Sequence, residues 1–334
     1  MLRYANKYFR WFEQTNAEAI TLSGQLSIRW IEKAINGYMN KILNTENEDY
    51  VIAVDTDSVY INFGPLVEMV NPEKPVDFLD KVASEKIEPF IDKSYRQLAE
   101  YMNVYEQKMI MKRENIGDKA IWTAKKRYIM NVWDSEGVRY KEPKLKMMGI
   151  EAIRSSTPGV CRDYIRKTLE LIMNTDENTV QKYIADVRKE FYTLDFEQIA
   201  FPRGVNLVAK RKDSNGKQYT EPYADRNTIY KKATPIQVKG CLLYNHYLNK
   251  YNIEKKYPPI KDGEKIKFCY LKMPNPILDK VIACPDGLPK EFGLESYLDY
   301  DTQFDKGYLD PVKNILKAIG WEHEKRNTLE DFFA

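Results

Sequence analysis

The 334-residue sequence has few of the side chains that most metal centres, disulfide scaffolds and catalytic triads require. It contains two histidines, His246 and His323, and four cysteines, none of them in a Cys-x-x-Cys pair. This composition argues against zinc sites and histidine-based catalysis, and it favours free thiols in a reducing compartment. A Gly-rich loop of the Walker type is also missing, which argues against a P-loop phosphotransferase.

Long apolar runs are missing as well. No run approaches the 18 residues that a membrane span needs, and the N-terminal MLRYANKYFRWFEQ has charges throughout instead of an apolar signal region. We therefore expect a cytoplasmic protein without membrane association.

The net charge of +3 is unevenly distributed. Residues 108–146 contain 11 Lys and Arg against 5 Asp and Glu, and residues 203–239 contain 9 against 3. Residues 286–334 contain 6 against 11. Two basic blocks and an acidic end favour a polyanion such as nucleic acid as partner, although an uneven solvated surface would give the same counts.

The periodicity of apolar residues predicts an α+β fold. Recurrence at helical spacing predicts helices at 16–44, 76–103, 158–173 and 177–193. Thr15 is expected to cap the first helix and Thr157 the third. Alternating apolar residues predict strands on both sides of residues 55–57, and two more within 126–142 that are joined by a turn at 135–137. A change of composition near 149–158 indicates a domain boundary there.

Two aspartates stand between apolar runs in DYVIAVDTDSVYINFG, residues 49–64. Side chains at i and i+2 of an extended segment point to one side, so Asp55 and Asp57 are expected to project from a common edge. Such carboxylates bind Mg²⁺, and two ions can clamp the oxygens of a phosphoryl transfer. A bare Asp-x-Asp is more often an ordinary turn. The pair alone therefore leaves both interpretations open.

The context of this pair resembles the palm of family B DNA polymerases, whose third signature motif is Tyr-Gly-Asp-Thr-Asp-Ser. Here Ala53-Val54 replaces the Tyr-Gly pair. Further segments are similar, in the same order, to the replicative members of the family from T-even-like bacteriophages: NAEAITLSGQLSIRWIEK, VDFLDKVASEKIEPFID, WTAKKRYIMNVWD, EPKLKMMGIEAIRSSTP and PIQVKGCLLYN. A phage protein of this kind would be located in the host cytoplasm.

The resemblance implies a partial palm at 1–149, an antiparallel sheet with packed helices, that includes the end of the fingers at 1–6. A mainly helical thumb with short strands would follow at 150–326, and a clamp-binding peptide at 327–334. In the palm, Asp57 would be the catalytic metal ligand and Asp55 its supporting neighbour. Glu114 would be a carboxylate near the metal site, although it could equally be a surface residue paired with Lys112 or Arg113.

The resemblance also implies a set of residues that contact primer–template DNA. In the motif Lys-Lys-Arg-Tyr, strand alternation would put Lys126 and Tyr128 on one face and Lys125 and Arg127 on the other. One face would reach the duplex near the primer end. The remaining expected DNA-binding residues are Lys144, Lys146, Arg154, Lys210 and Lys239.

Two motifs of the family are missing from the sequence: Asp-x-x-Ser-Leu-Tyr-Pro of the first palm strand, and Lys-x-x-x-Asn-Ser-x-Tyr-Gly, which grips the incoming dNTP. No exonuclease motif occurs either. The resemblance thus implies an enzyme that needs an N-terminal polymerase polypeptide, which would complete the site of two Mg²⁺ ions with its own carboxylate. A split gene and a truncated reading frame both fit, and Met1 and the intact-looking C-terminus favour the split gene. Apolar helix residues such as Trp30 and Ile35 would then lack neighbours in this chain alone.

The last eight residues, NTLEDFFA, are similar to the peptide with which such polymerases bind a sliding clamp. Leu329, Phe332 and Phe333 are spaced to share one face of a helical turn. A tail folded back onto the thumb is the alternative. For the whole chain, the alternative function is a non-catalytic, clamp-tethered DNA-binding module, which the Ala53-Val54 replacement motivates.

Overall fold

The computed structural model describes residues 4–213, 216–225 and 228–325, and it confirms the α+β class. The chain folds into two compact units. One comprises Met1–Ala120 and Met130–Lys146, and the other comprises Ile121–Ile129 and Met147–Ala334. The domain limits expected from the sequence, 1–149, 150–326 and 327–334, remain a prediction.

The first unit begins with a long helix, α1 (Gln14–Leu43). Its second half buries an apolar stripe that includes Ile31, Ile35 and Met39. The helix starts earlier than expected, and Thr15 is not its cap. Instead the carboxylate of Glu13 accepts a hydrogen bond from the Thr15 backbone N–H at 3.2 Å.

An antiparallel hairpin of β1 (Val51–Asp55) and β2 (Ser58–Ile61) follows α1. The helices α2 (Gly64–Val70), α3 (Pro75–Val82) and α4 (Glu88–Tyr101) come next, with a π-helical turn at Ala83–Ile87 between the last two. This turn directly precedes Pro89, which lacks the N–H that a continuous α-helix would use. In one apolar core, α1 packs with Tyr50, with Val51 of β1, and with Ile91, Tyr95 and Leu98 of α4.

Three strands, β3 (Asn115–Ala124), β4 (Arg127–Ser135) and β5 (Val138–Met148), lie side by side in that order. Two-residue turns join them. The turn at Glu136-Gly137 lies where the sequence predicted one. The segment Lys125-Lys126, expected in a strand, forms the other turn.

The second unit contains the predicted helices near 158–173 and 177–193, as α5 (Gly159–Asn174) and α6 (Glu177–Phe191). The remaining elements are α7 (Phe196–Ile199), β6 (Phe201–Gly204), β7 (Val208–Lys212), β8 (Gln218–Pro222), α8 (Ile236–Lys250), β9 (Lys265–Tyr270), β10 (Val281–Cys284), α9 (Tyr300–Phe304) and α10 (Asp310–Ala318). The order β10-β9-β6 forms one antiparallel sheet, and β7 pairs with β8 in another. Thr157 does not cap α5, because Pro158 occupies the N-cap position.

The cysteines of this unit are free and buried. Burial raises the pKa of both Cys161 and Cys241 to about 12. None of the helices in the described ranges has the length and apolar character of a membrane span.

An ion-pair network around one buried aspartate ties helix α3 of the first unit to its strands. Arg113 donates through Nη1 to the carboxylate of Asp134, whose side chain is 1% exposed, and through Nη2 to Asp80 Oδ1 at 2.6 Å. Arg139 Nε lies 3.3 Å from Asp134 Oδ2, and its Nη2 lies 3.0 Å from Asp77 Oδ1. The network therefore joins α3, β4 and β5 through one buried carboxylate.

Replacing Arg113 should destabilise the protein far more than replacing an exposed arginine. We expect Arg113→Ala to lower the free energy of unfolding by about 3 kcal/mol, because the buried Asp134 loses its main cation. Arg96 is the matched control, since it pairs with Asp92 at 3.0 Å but both side chains are at least half exposed. Arg96→Ala should cost less than about 1 kcal/mol. Equal losses for the two variants in urea unfolding would contradict the role given to the network.

Candidate active site and nucleic-acid interface

Two asparagines one turn apart on α1 fix the start of β1. Asn36 Oδ1 accepts hydrogen bonds from the backbone N–H groups of Tyr50 and Val51, both at 2.9 Å. Asn40 holds the preceding loop, because its side chain donates to Glu48 O at 2.7 Å and accepts from Glu48 N at 3.0 Å. The strand that starts here ends four residues later, so α1 determines where the aspartate pair lies. Neither asparagine was predicted from the sequence pattern to have this role.

The two aspartates occupy a tight turn at the tip of the β1–β2 hairpin. Asp55 ends β1 opposite Ser58, and Thr56 and Asp57 are the two residues of the turn. The expectation of an extended segment through Asp57 is therefore wrong, since the chain reverses at Thr56, where φ is 48°. The Asp57 N–H donates to Asp55 O at 2.5 Å. The two aspartates therefore belong to a tight turn, and strand alternation does not describe their arrangement.

The surroundings of this turn suit a hard cation. Asp57 is exposed and Asp55 is half-buried. Thr56 Oγ1 donates to Asp55 Oδ1 at 3.0 Å, and Ser58 Oγ donates to Asp55 O at 3.1 Å. Mg²⁺ keeps several waters and is commonly held by one or two carboxylates together with substrate phosphates, so this donor set fits it.

The pair is not a complete metal cage. Over the ranges that the structure describes, no group of three or more His, Cys, Asp or Glu side chains could hold a metal ion. A two-metal site built on Asp55 and Asp57 needs further ligands from substrate or from another polypeptide.

Glu114 lies on the segment that leads into β3. Its side chain is 58% exposed, and Lys146 Nζ lies 3.7 Å from its Oε1. Arg113, a partner considered from the sequence, is engaged with Asp80 and Asp134 instead. The structure thus brings together Glu114 and Lys146, two residues expected at a catalytic and a DNA-binding position.

The first half of the Lys-Lys-Arg-Tyr motif is a turn, and the second half is the start of β4. Lys125 and Lys126 are exposed and connect β3 to β4, with φ of 60° at Lys126. The expected alternation of four strand residues is therefore wrong for the two lysines. Tyr128 is only 5% exposed and packs against Trp122, with ring centroids 5.8 Å apart. A ring this buried supports the strand and is not available to touch a duplex.

Two arginines expected to contact DNA converge on a single glutamate. Arg127 forms a two-pronged ion pair with Glu151, at 2.9 and 2.7 Å. Arg154 Nη1 lies 3.3 Å from Glu151 Oε1, and its Nη2 donates to Gly149 O at 3.0 Å. The sequence analysis missed Glu151, for which the i, i+3 spacing to Arg154 is the available signal. Both guanidinium groups are thus engaged within the protein.

Gly149 permits a close approach of the loop after β5 to the lysine turn. Its φ is 65°, and a Cβ added there would lie 2.3 Å from the carbonyl oxygen of Lys126. A larger residue would push the two backbones apart. Gly149 is therefore a positioning residue for Lys125 and Lys126.

The remaining expected DNA-binding lysines lie on separate elements. Lys144 is exposed, with Nζ 4.1 Å from the centre of the Tyr140 ring. Lys210 is exposed on β7, and Lys239 at the start of α8 has Nζ 4.6 Å from the Tyr230 ring. The expected clamp-binding residues Leu329, Phe332 and Phe333 lie outside the described residues.

Not all cations near Lys210 are available to a ligand. Lys231 Nζ donates to Glu221 Oε1 at 2.6 Å, and Arg211 Nε donates to Glu221 Oε2 at 2.8 Å. These bonds, the one from Lys231 above all, hold the pKa of Glu221 below its ordinary value. Part of the second basic block is therefore neutralised within the β7–β8 hairpin.

Comparison with known proteins identifies the family. The sequence profile of DNA polymerase family B matches residues 10–239, a range that contains Asp55, Asp57, Glu114 and every expected DNA-binding residue. The chain belongs to DNA polymerase family B. It is 35% identical to the DNA-directed DNA polymerase of Enterobacteria phage T4 and 37% identical to that of Escherichia phage RB69, each over 347 aligned positions.

Both alignments cover 98% of this family B chain, but only 37% of the T4 protein and 36% of the RB69 protein. The chain therefore spans little more than a third of the length of these relatives.

A pair of glycine variants tests how the lysine turn is held. We expect Gly149→Ala to reduce the free energy of unfolding by about 1–3 kcal/mol more than Gly137→Ala, because its Cβ would overlap the Lys126 carbonyl. Gly137 also has a positive φ, 87°, but open space around an added Cβ. Its substitution should therefore cost only the backbone strain, about 1 kcal/mol. Denaturant unfolding of both variants measures the difference. Equal losses of unfolding free energy would show that the close approach to the Lys126 carbonyl does not restrict the residue at position 149.

Proposed function

We propose that this chain is the C-terminal part of a replicative DNA-directed DNA polymerase, comprising the second part of the palm and the thumb. It would supply metal-binding carboxylates and duplex-binding lysines for nucleotidyl transfer. The observation that carries the proposal is the Asp55-Thr56-Asp57-Ser58 turn at the tip of a hairpin, inside the range that the family profile matches.

In this proposal Asp57 and Asp55 hold Mg²⁺. When held there, Mg²⁺ would supply positive charge against the phosphoryl oxygens of the substrate and would help to orient the reacting oxygens. Asp57 presents its carboxylate to solvent at the turn, where a dNTP could approach. Thr56 donates to Asp55 and so restricts the rotation of that carboxylate. The proposal also includes Glu114 as a carboxylate near the metal site, with Lys146 partly offsetting its charge.

The exposed lysine turn is the proposed contact with primer–template DNA. Phosphate contacts are independent of sequence, and minor-groove acceptors are similar in all base pairs. Lys126 could therefore sense pairing near the primer end without reading sequence. Lys144, Lys146, Lys210 and Lys239 are proposed to contact the duplex backbone. The proposed role of the other three expected residues is to support the turn. Arg127 and Arg154 are paired with Glu151, and Tyr128 is buried.

The proposal includes partners. An N-terminal polymerase polypeptide would contribute the two motifs that this sequence lacks, together with the remaining metal ligand and the dNTP-gripping residues. Nearly two thirds of each relative has no counterpart in this chain. The peptide 327–334 is proposed to bind a sliding clamp.

A non-catalytic DNA-binding module is the second candidate. One observation favours it: the strand beside the aspartates has Ala53-Val54 where the family motif has Tyr-Gly. A register shift in β1 between Val51 and Ala53 also lies next to these positions. An altered strand backbone there would change where the two carboxylates point.

Aspartate variants separate the two candidates. In single-turnover primer extension by the chain combined with the N-terminal polypeptide, we expect Asp57→Ala to reduce the rate on the order of 100- to 1,000-fold, because several kcal/mol of metal-mediated stabilisation are lost. Asp55→Ala should retain measurable activity, and Glu68→Ala, an exposed carboxylate variant on α2, should match the wild type. A near-normal rate for Asp57→Ala would refute the site, and an inactive wild-type complex would favour the binding module.

Lysine variants test the DNA contact. If each lysine of the turn meets one phosphate, Lys125→Ala and Lys126→Ala should each lower the slope of log affinity against log salt by about one. Lys126→Ala should in addition change extension from a mismatched primer end relative to a matched one. Lys189→Ala on α6 is the control, since Lys189 is 80% exposed and lies outside both basic blocks. Arg127→Ala should lower stability without changing the salt slope. If both turn variants bind DNA as the wild type does, the two lysines are solvated surface residues that do not contact DNA.

A further inference from the structure

The N-terminal half of α1 carries an apolar face that the described part of the chain leaves open to solvent. Leu22 and Leu26 share one side of the helix, because residues four apart are neighbours. They are 58% and 40% exposed. The stripe that α1 buries runs through Ala17, Ile28 and Ile31, on a different side. A helix that is apolar on two sides is normally covered on both.

This face continues in both directions along the first unit. Trp30 follows Leu26 by four residues, and its ring stacks on Tyr101 at the end of α4, with centroids 6.3 Å apart. Toward the N-terminus, Trp11 and Phe12 precede the helix and are 62% and 44% exposed. We refer to Trp11, Phe12, Leu22, Leu26, Trp30 and Tyr101 as the α1 ridge. Its helical part, from Leu22 to Trp30, extends about 12 Å at about 1.5 Å per residue.

Charge is nearly absent from the exposed first half of α1. Between Gln14 and Ile28 the sequence contains one charged residue, Glu18, in a chain that is 30% charged overall. Protein surfaces that face water are normally rich in Lys, Glu and Arg. The centre of a protein–protein interface, in contrast, is depleted of charge and enriched in aromatic residues. The span of the α1 ridge, residues 11–30, contains three charged residues, Glu13, Glu18 and Arg29, and is therefore about half as charged as the whole chain.

Trp30 is held in place before any partner binds. Its indole Nε1 donates to Ser94 O at 3.1 Å and lies 3.0 Å from Ser94 Oγ. The polar atom of the ring is therefore satisfied inside the unit, and the partly buried ring packs against the apolar core as well as against Tyr101. A preorganised aromatic side chain costs little entropy on binding. The expectation that Trp30 and Ile35 lack neighbours in this chain is wrong, since Trp30 contacts Ser94 and Tyr101 and Ile35 is completely buried.

We infer that the α1 ridge is the docking surface for the N-terminal polymerase polypeptide, an inference that rests on the proposed function. Nearly two thirds of each phage relative has no counterpart in this chain, whereas 98% of this chain is matched. The ridge is thus a surface of a matched unit whose surroundings in a longer polymerase are not part of this chain. DNA is a poor occupant, because protein surfaces that bind DNA are strongly positive and the first half of α1 is nearly uncharged.

The test is a binding measurement with charge-inserting variants. The double variant Leu22→Lys/Leu26→Lys should weaken binding of the purified N-terminal polypeptide on the order of 100-fold by calorimetry, because two cations would be buried at the centre of the interface. The matched control is Ile42→Lys/Met69→Lys. Ile42 is on the same helix and 41% exposed, and Met69 is 58% exposed on α2, the same values as for Leu26 and Leu22 within one per cent. The control should change affinity less than about threefold.

A second variant and a folding measurement guard against misfolding. Leu22→Ala/Leu26→Ala removes the apolar contacts without adding charge, and it should weaken the complex in the same direction. All three variants should keep the thermal midpoint of the wild type within a few degrees, because the substituted side chains are exposed.

The outcomes distinguish this inference from the proposed function. Wild-type affinity of both ridge variants would overturn the inference, even if the complex extends primers. Loss of binding by the ridge variants, with an inactive wild-type complex, would support the docking surface and refute the polymerase activity. If the wild-type chain ignores the polypeptide but forms dimers that only the ridge variants disrupt, a second copy is the occupant and the inference fails.

Discussion

The buried carboxylate of Asp134 is the group on which the first unit depends. A charged side chain that is 1% exposed is tolerated only when cations pair with it, and Arg113 and Arg139 do so from two different segments. Because Arg113 also bonds Asp80 and Arg139 also bonds Asp77, the pairs join helix α3 to strands β4 and β5. Separating the helices from the strands would leave a charge unpaired in the interior. The unit that presents the aspartate turn is therefore held together by ion pairs as well as by its apolar core.

Arginine and lysine have different uses in this chain. The arginines Arg113 and Arg127 form ion pairs with internal carboxylates, and the planar fork of guanidinium suits such bidentate bonds. The lysines at the turn after β3 are exposed, as is Lys210 on β7. A compact ammonium on a flexible stem suits phosphates whose positions vary along a duplex. The count of positive residues is therefore larger than the number of cations that a polyanion could contact. The exposed lysines are the cations that matter for such a contact.

Local patterns were sufficient to predict much of the fold. Helical periodicity identified α1, α5 and α6, and alternation identified the strands beside the aspartates and the turn at Glu136-Gly137, because these signals lie within a few residues. Residues remote in sequence were not predictable in this way. Glu151 meets Arg127 across 24 positions, and Asp134 meets Arg113 across 21. The turn at Lys126 was missed, since lysine does not favour a positive φ and the flanking sequence has the pattern of a continuous strand. A join of two strands was expected at residues 55–57, but not that Thr56 and Asp57 alone would form its turn.

These two turns have the same kind of backbone strain. Each reverses the chain within two residues, and each places a residue other than glycine in the left-handed region, at a cost on the order of 1–3 kcal/mol. At the aspartate turn, glycine would relieve the strain but remove the hydroxyl that donates to Asp55. At the lysine turn, a glycine at position 126 would remove one of the two exposed cations. The close approach of the two backbones is made possible by Gly149 on the opposing segment. In both places the strained residue carries a side chain that the proposed chemistry uses, so the folding energy of the surrounding strands maintains the geometry of the site.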